Sequence, residues 1–239
     1  MDITTSTVQL NTPDGKMEAY EARPKDGGER PAIIVFMEAF GVNSHIKDVT
    51  ERVAREGYVA IAPDLYYREP ERIVPYKELQ KAIGIMNRLQ DPKVMEDAGA
   101  VIAHLKSQNY VKAGAIGVTG FCMGGRCTYL AAAHHSKDVR AAVGFYGGGI
   151  PMGKPSPLSR TGEINCPIQL FFGEKDPLIP QDHVAQIRQA LTDNKKNFTI
   201  EVYPGAGHGF FCNERESYHA DSAKDAWDKF KSFFGQHLK

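Results

Sequence analysis

The chain has 239 residues, of which 42% are hydrophobic and 24% charged, and we expect one globular domain spanning residues 1–239. The 29 basic residues balance the 29 acidic ones. This balance argues against a nucleic-acid partner or an anionic membrane surface and favours a small-molecule partner. No leader-like segment follows Met1, and no apolar run approaches the ~20 residues of a membrane-spanning helix. We therefore expect a cytoplasmic monomer or small homo-oligomer.

The cysteines and histidines do not form a recognisable metal or disulfide pattern. The four cysteines are Cys122, Cys127, Cys166 and Cys212. They contain no C-x-x-C pair, so we expect reduced thiols. The eight histidines form no H-E-x-x-H motif and no Cys/His cluster, so the sequence predicts no metal.

The first half of the chain alternates strands and helices. Extended segments at 7–10 and 16–22, joined by an Asp-Gly turn, predict an N-terminal β-hairpin. The apolar run 32–37 predicts a strand that is covered on both faces of a sheet. After it we predict a helix at 44–56, a strand at 58–62 and helices at 74–89 and 93–108.

The second half continues the alternation. Residues 115–133 are typical of a strand, a sharp turn at Cys122 and an Ala-rich helix. The remaining predicted segments are a strand at 139–145, an irregular stretch at 146–166, a strand at 167–172, a helix at 181–192, a strand at 198–203 and an amphipathic helix at 220–238. This order predicts an α/β fold with a mostly parallel central sheet and helices on both faces.

The turn at residues 120–124, Gly-Phe-Cys-Met-Gly, matches the nucleophile elbow G-x-Nu-x-G. Glycine suits both ends of this strained turn because β-carbons at Gly120 and Gly124 would collide with neighbouring backbone. The alternative is an ordinary strand-to-helix turn whose cysteine is a small buried hydrophobic residue.

Four reactive side chains each follow a predicted strand: Glu38, Cys122, Asp176 and His208. Ligands of parallel sheets bind beyond the carboxyl ends of the strands, so we expect these side chains to converge at one edge. Taken singly, Asp176 is explained as a turn residue and His208 as a loop residue. Their joint occurrence in the order nucleophile, acid, histidine favours the catalytic triad of an α/β-hydrolase fold.

This triad predicts a role for each member. His208 would share the proton of Cys122, and Asp176 would accept a hydrogen bond from the other ring nitrogen. The backbone N–H groups of Met123 and Ala39 are the expected oxyanion donors. Glu38 is harder to place, because a buried carboxylate is costly unless it is paired. An ion pair with an arginine and a catalytic role explain Glu38 equally well.

Five short motifs follow one another along nearly the whole chain. They are Met-Glu-Ala-Phe-Gly-Val at 37–42, Ala-Pro-Asp-Leu-Tyr at 62–66, Gly-Phe-Cys-Met-Gly-Gly at 120–125, Gly-Glu-Lys-Asp at 173–176 and Gly-His-Gly-Phe at 207–210. In this order they resemble the dienelactone hydrolase (carboxymethylenebutenolidase) family. The resemblance implies a single-domain α/β-hydrolase with a Cys-Asp-His triad and no cofactor. It also implies that Glu38 is a switch, which holds the thiol proton at rest and moves when a carboxylate-bearing enol lactone binds.

One departure from the family pattern concerns substrate binding. Members that act on dienelactone itself carry an arginine shortly after the catalytic histidine, and here Cys212 lies near that place. Arg215, Arg68 and Arg72 are therefore candidate partners for a substrate carboxylate, and each of them is also explained as a surface charge.

The cysteine nucleophile itself restricts the reaction. A thiolate leaves a tetrahedral intermediate more readily than an alkoxide does, so we expect activated esters or lactones as substrates. Two alternatives stay open. One is a promiscuous esterase or thioesterase on the same scaffold, and the other is a non-catalytic α/β-hydrolase that binds a ligand.

Overall fold

A computed structural model describes residues 1–239, and its centre is a single sheet of eight strands. The strands are β1 (Ile3–Thr12), β2 (Gly15–Pro24), β3 (Arg30–Phe36), β4 (Val59–Pro63), β5 (Val111–Phe121), β6 (Val139–Phe145), β7 (Ile168–Gly173) and β8 (Phe198–Tyr203). Their order across the sheet is β1-β2-β4-β3-β5-β6-β7-β8.

Most neighbouring strands are parallel, as the alternation of strands and helices predicted. Strands β3 to β8 pair in parallel, whereas β1 pairs with β2 and β2 with β4 in antiparallel fashion. Every residue of β4 is buried, and so is every residue of β3 after Arg30. Continuous apolar runs form these strands because helices exclude water from both faces of the sheet.

Helices cover the two faces of the sheet. They are α1 (Ser44–Arg55), α2 (Leu79–Met86), α3 (Asp91–Ser107), α4 (Met123–His134), α5 (Gln181–Asp193) and α6 (Ala220–Leu238). In β5, Gly117 leaves room for Phe234 of α6, and Gly120 leaves room for the first turn of α4. Gly117 and Gly120 are three positions apart, and strand residues an odd number of positions apart face opposite sides of a sheet. Helices α4 and α6 therefore lie on opposite faces.

The helix predicted at 74–89 is much shorter than expected. It covers only Leu79–Met86, and the residues before it are not helical. Proline disfavours a helical conformation in the residue before it, and here Pro75 follows Val74. The amide of Val74 instead donates to the carbonyl of Phe40 at 3.1 Å. The non-helical piece therefore lies against the loop that follows β3.

Other boundaries shift by a few residues. The irregular stretch 146–166 contains a 3-10 helix, Pro157–Glu163, and the central strand begins at Val111 rather than at 115. No helix is both long and apolar enough to cross a membrane.

Candidate active site

The turn between β5 and α4 has the geometry of a nucleophile elbow. Cys122 has a backbone φ of 55°, a left-handed value that is rare outside glycine. A β-carbon at Gly120 would overlap the carbonyl of Gly124, and one at Gly124 would overlap the carbonyl of Phe36. The two glycines therefore let the turn close tightly enough to leave the thiol of Cys122 partly exposed at the start of α4.

Asp176 and His208 form a buried pair. A carboxylate oxygen of Asp176 lies 2.8 Å from Nδ1 of His208, and their side chains are 0% and 7% exposed. The other oxygen of Asp176 accepts a hydrogen bond from the amide of Leu178 at 2.8 Å. Asp176 is thus fixed by its own turn after β7, and it fixes the orientation of the imidazole.

The remaining ring nitrogen of His208 faces Cys122. Nε2 is buried and has no hydrogen bond of good geometry, and the Cys122 thiol is the side chain that interacts with it. Burial lowers the pKa of His208, but the negative charges of Cys122 and Asp176 outweigh burial and raise this pKa well above 6.5. The site therefore favours a proton on His208 once Cys122 is a thiolate.

Two backbone amides lie where oxyanion donors were expected. Met123 is the first residue of α4, where amides have no acceptor within the helix. In the loop after β3, Gly41 donates to Glu38, but the amide of Ala39 donates to no other backbone group. Both amides are therefore available to a ligand, and their role as oxyanion donors stays a prediction.

Glu38 is a buried carboxylate held by long contacts. Its side chain is 0% exposed, and it accepts hydrogen bonds from Tyr76, Tyr146 and Arg215. The three distances are 3.3, 3.4 and 3.3 Å, whereas charge-assisted hydrogen bonds are usually about 2.7–2.9 Å. Neither oxygen is hydrogen-bonded to Cys122. The ion pair with an arginine, one of the two alternatives for Glu38, is thus present, but it is a loose one.

Arg215 is the candidate arginine that reaches the site. Its side chain is 17% exposed, and its guanidinium lies 5.5 Å from the ring centre of Phe40 and 5.7 Å from that of Tyr76. A β-carbon at Gly209, whose φ is 80°, would overlap this guanidinium. The glycine after His208 therefore makes room for the cation beside Glu38.

The other two candidate arginines are engaged elsewhere. Arg68 donates from Nη1 and Nη2 to buried Asp97 at 2.7 and 2.9 Å, and from Nε to Asp14 at 2.9 Å. Arg72 lies 3.5 Å from carboxylate oxygens of both Glu18 and Asp64. Each arginine bridges one buried and one exposed or half-buried carboxylate, and the structure brings neither arginine into contact with Glu38, Cys122, Asp176 or His208.

Two tyrosines complete the surroundings of Glu38 and were not among the sequence candidates. Burial, followed by the charge of Glu38, raises the pKa of both Tyr76 and Tyr146 well above 10, so both hydroxyls stay donors. The ring of Tyr146 also lies 5.2 Å from that of His208, so Tyr146 connects Glu38 with the Asp176–His208 pair. Tyr146 directly follows β6. The criterion that selected Cys122, a reactive side chain directly after a predicted strand, could therefore have selected Tyr146 as well. Tyr76 carried no such signal, because its segment was predicted to be helical.

A second group missed by the sequence lies beside Glu38. A ring nitrogen of His45 and the sulfur of Cys212 lie within 4.8 Å of each other and of a Glu38 oxygen. Burial lowers the pKa of His45, so its ring is neutral. These are the residues near the site that could hold a metal ion. No sequence motif marked them, because residues 38 and 45 are far from 212 along the chain.

The comparisons with known sequences agree with the five motifs. A sequence model of the dienelactone hydrolase family matches residues 17–238. A Synechocystis sp. protein provisionally named carboxymethylenebutenolidase is 41% identical over 100% of this chain and 99% of its own. A Bradyrhizobium sp. protein provisionally named 2-oxo-3-(5-oxofuran-2-ylidene)propanoate lactonase is 33% identical over 97% of this chain and 94% of its own.

A solved structure gives the same result for the fold. The crystal structure of a provisionally named dienelactone hydrolase from Klebsiella pneumoniae superimposes with a TM-score of 0.91 and 36% identity, over 99% of this chain and 100% of that one. The expected α/β-hydrolase fold and the resemblance stated from the motifs are thereby confirmed. The chain belongs to the dienelactone hydrolase family and is a hydrolase.

Proposed function

We propose that this hydrolase opens a carboxylate-bearing enol lactone, or another activated ester, through a thioester on Cys122. The observation that carries the proposal is the thiol at the strained elbow, which interacts with a buried Asp176–His208 pair whose Nε2 has no other polar partner. A buried nitrogen with so little support is costly in a resting protein. It is useful in one that moves a proton between a nucleophile, a leaving group and water.

The first half of the proposed reaction breaks the ring. The Cys122 thiolate attacks the lactone carbonyl carbon, and the amides of Met123 and Ala39 hold the oxyanion. Collapse of the tetrahedral intermediate breaks the bond to the ring oxygen, which leaves as an enolate. His208 gives its proton to the enolate, and the enol rearranges to a ketone.

The second half restores the enzyme. Neutral His208 removes a proton from water, and the hydroxide attacks the thioester carbonyl. The thiolate leaves, a carboxylic acid forms and His208 is again protonated beside Cys122. Asp176 stabilises the imidazolium through its 2.8 Å hydrogen bond in both halves.

The substrate class follows from two features of the site. An enolate competes with a thiolate as leaving group, whereas an alkoxide does not. The tetrahedral intermediate formed from a simple alkyl ester therefore expels the thiolate and returns to substrate. A substrate carboxylate would compete with Glu38 for the guanidinium of Arg215, which is held at 3.3 Å. Release of Glu38 would then let it move, which is the switch role proposed for it. The Bradyrhizobium relative supports this class, since its name describes a lactone with a carboxylate.

The test is a comparison of substrates on one enzyme. We expect kcat/KM for dienelactone to exceed that for p-nitrophenyl acetate, and ethyl acetate to be the poorest of the three. Cys122→Ala should abolish all turnover. Equal kcat/KM for the lactone and the aryl ester would instead indicate a promiscuous esterase, and no turnover of any ester by folded wild-type protein would indicate a ligand-binding module.

A further inference from the structure

Three potential metal ligands of different chemistry meet beside the triad. The ligand atoms of Glu38, His45 and Cys212 lie within 4.8 Å of one another, and all three residues are buried. They come from separate places in the fold: the loop after β3, the first turn of α1, and the segment between β8 and α6. Only Glu38 has a part in the proposed reaction.

The imidazole of His45 is unexplained by the rest of the structure. His45 is 2% exposed, and its Nε2 is fully buried without a hydrogen-bond partner. Its ring is held edge-on against Phe121 and Phe211, with ring centres 6.0 and 6.3 Å away. An oriented, dry and unpartnered nitrogen is costly unless something binds it.

The contacts of the other two ligands leave one side open to a cation. Arg215 and Tyr146 donate to Oε1 of Glu38, whereas Oε2 accepts only from Tyr76. The same Tyr76 hydroxyl lies 3.3 Å from the sulfur of Cys212. This hydroxyl thus bridges Glu38 and Cys212, and a shared cation would bind between these two side chains with the hydroxyl displaced to become a further ligand.

We propose that Glu38, His45 and Cys212 form a binding site for a thiophilic divalent cation of the Zn²⁺ class. One carboxylate oxygen, one imidazole nitrogen and one thiolate are ligands that zinc accepts. The ion forms bonds to O, N and S while the Cys212 thiol releases its proton to solvent, and the fourth position takes the Tyr76 hydroxyl or water.

The geometry requires only a small adjustment. Zinc bonds of about 2.0–2.3 Å in a tetrahedral site place ligand atoms about 3.5 Å apart. The present limit of 4.8 Å must therefore shrink by roughly 1 Å. Glu38 can move towards the other two ligands, because none of its three hydrogen bonds is shorter than 3.3 Å, and His45 and Cys212 must supply the rest of the movement.

The consequence for catalysis rests on the proposed function. A cation that binds Glu38 and Cys212 would hold the carboxylate in place and oppose its movement. Zn²⁺ would then inhibit turnover reversibly, and a chelator would restore it. The site is thus regulatory, and the proposed reaction itself does not use the ion.

Binding can be measured without turnover, in protein that lacks the nucleophile. Cys122→Ala removes the one other thiol that faces a histidine at the site, and Co²⁺ serves as a coloured substitute for Zn²⁺. We expect one Co²⁺ per chain with a thiolate-to-metal charge-transfer band in the near ultraviolet, which Zn²⁺ displaces. The band should vanish in Cys122→Ala/Cys212→Ser and weaken in Cys122→Ala/His45→Gln. It should persist in the matched control Cys122→Ala/Cys166→Ser.

Two outcomes would overturn the proposal: no band in Cys122→Ala at millimolar Co²⁺, or the same band after Cys212→Ser. Circular dichroism of each variant shows that a lost band does not come from unfolding. With Cys122 present, the Zn²⁺ concentration that halves turnover should be at least tenfold higher for Cys212→Ser than for the wild-type protein. Each protein is compared with its own metal-free rate. A cobalt site without Zn²⁺ inhibition would contradict only the switch role of Glu38 and leave the metal site standing.

Discussion

At the scale of single residues, Glu38 has an unusual environment for a buried carboxylate. A carboxylate without solvent exposure normally has short hydrogen bonds, because these replace the water that it has lost. Glu38 has three donors, and all of them are 3.3 Å or more away. Loose contacts of this kind stabilise the present position only weakly, so a competing group can displace the carboxylate.

Removing the charge of Glu38 should therefore change the reactivity of Cys122. With Glu38→Gln, no carboxylate opposes the thiolate, and the thiol proton passes to His208. We expect faster alkylation of Cys122 by iodoacetamide at neutral pH, measured by mass spectrometry of the peptide that contains residue 122. Glutamine keeps the size and acceptor of the side chain, so packing is preserved. An unchanged alkylation rate would leave Glu38 as an ion-pair partner of Arg215 and nothing more.

Arg215 should distinguish charged from neutral substrates. A lost hydrogen bond to a charged group costs about 1.5–3 kcal/mol, so Arg215→Ala should raise KM for a carboxylate-bearing lactone by about 10- to 100-fold. The KM for p-nitrophenyl acetate should change little. Arg72→Ala is the matched control, because Arg72 pairs with Glu18 and Asp64 outside the site. Equal effects on both substrates would reject a carboxylate-binding role for Arg215.

At the scale of elements, the site depends on how closely α4 approaches β3 and β5. The first turn of α4 lies against the end of β3 only because Gly124 has no β-carbon. This approach brings the amide of Met123 and the thiol of Cys122 to the edge where β3 also ends. The two glycines of the motif, Gly120 and Gly124, therefore determine how closely α4 approaches the sheet.

Two glycine substitutions should separate this packing effect from helix propensity. Gly124→Ala would push against the carbonyl of Phe36 and should destabilise the fold by about 1–3 kcal/mol, with loss of activity. Gly84 lies on the exposed side of α2 with open space around it. Gly84→Ala should therefore stabilise the folded protein by up to about 1 kcal/mol. Thermal unfolding measures both. A Gly124→Ala protein as stable and active as wild type would contradict the account of the elbow.

The strands, and the positions of Cys122, Asp176 and His208 in the turns after them, were predictable from sequence, whereas the surroundings of Glu38 were not. Apolar runs and glycine motifs are local patterns, and they located β3, β5 and the turns that carry Cys122 and Asp176. The failed helix at 74–89 shows the limit. Its pattern was helical, but Pro75 and the hydrogen bond from Val74 to the β3 loop prevailed. Contacts between distant segments of this kind leave no local signal.

At the scale of the whole molecule, the site joins residues that are up to 177 positions apart, as Glu38 and Arg215 are. The parallel sheet explains why the triad could still be expected at one edge. It does not explain His45 and Cys212, since neither directly follows a strand end. Their meeting with Glu38 depends on how α1 and the segment before α6 pack, which only the folded chain shows.

Folding stability should depend on pH through Asp64, which follows β4. Burial raises the pKa of this carboxyl from 3.8 to about 6, so the folded state opposes ionisation. The penalty is absent below pH 4, develops between pH 4 and 6, and above pH 6 amounts to about 2–3 kcal/mol. Asp64→Asn should therefore stabilise the protein increasingly from pH 4 to about pH 6 and by a constant amount from there to pH 8, measured by urea unfolding.

A carboxylate with the opposite shift is the control for Asp64. Lys231 and Lys224 lower the pKa of Asp228, so its charge contributes stability above pH 4. Asp228→Asn should therefore cost a small and constant amount of stability from pH 4 to pH 8, and this cost should disappear only below pH 4. The same pH dependence in both variants would contradict the assignment to Asp64.

The central claim is that Cys122 is acylated and that His208 directs water to the acyl group. The most direct measurement is mass spectrometry of His208→Gln protein after reaction with p-nitrophenyl acetate and acid quenching. Acylation should be slower, because His208 also accepts the thiol proton, but deacylation loses its general base. The protein should therefore slowly accumulate a single acetyl group, found on the peptide that carries Cys122 and released by hydroxylamine. An acetyl group on another residue, or turnover by Cys122→Ala at the wild-type rate, would contradict the account.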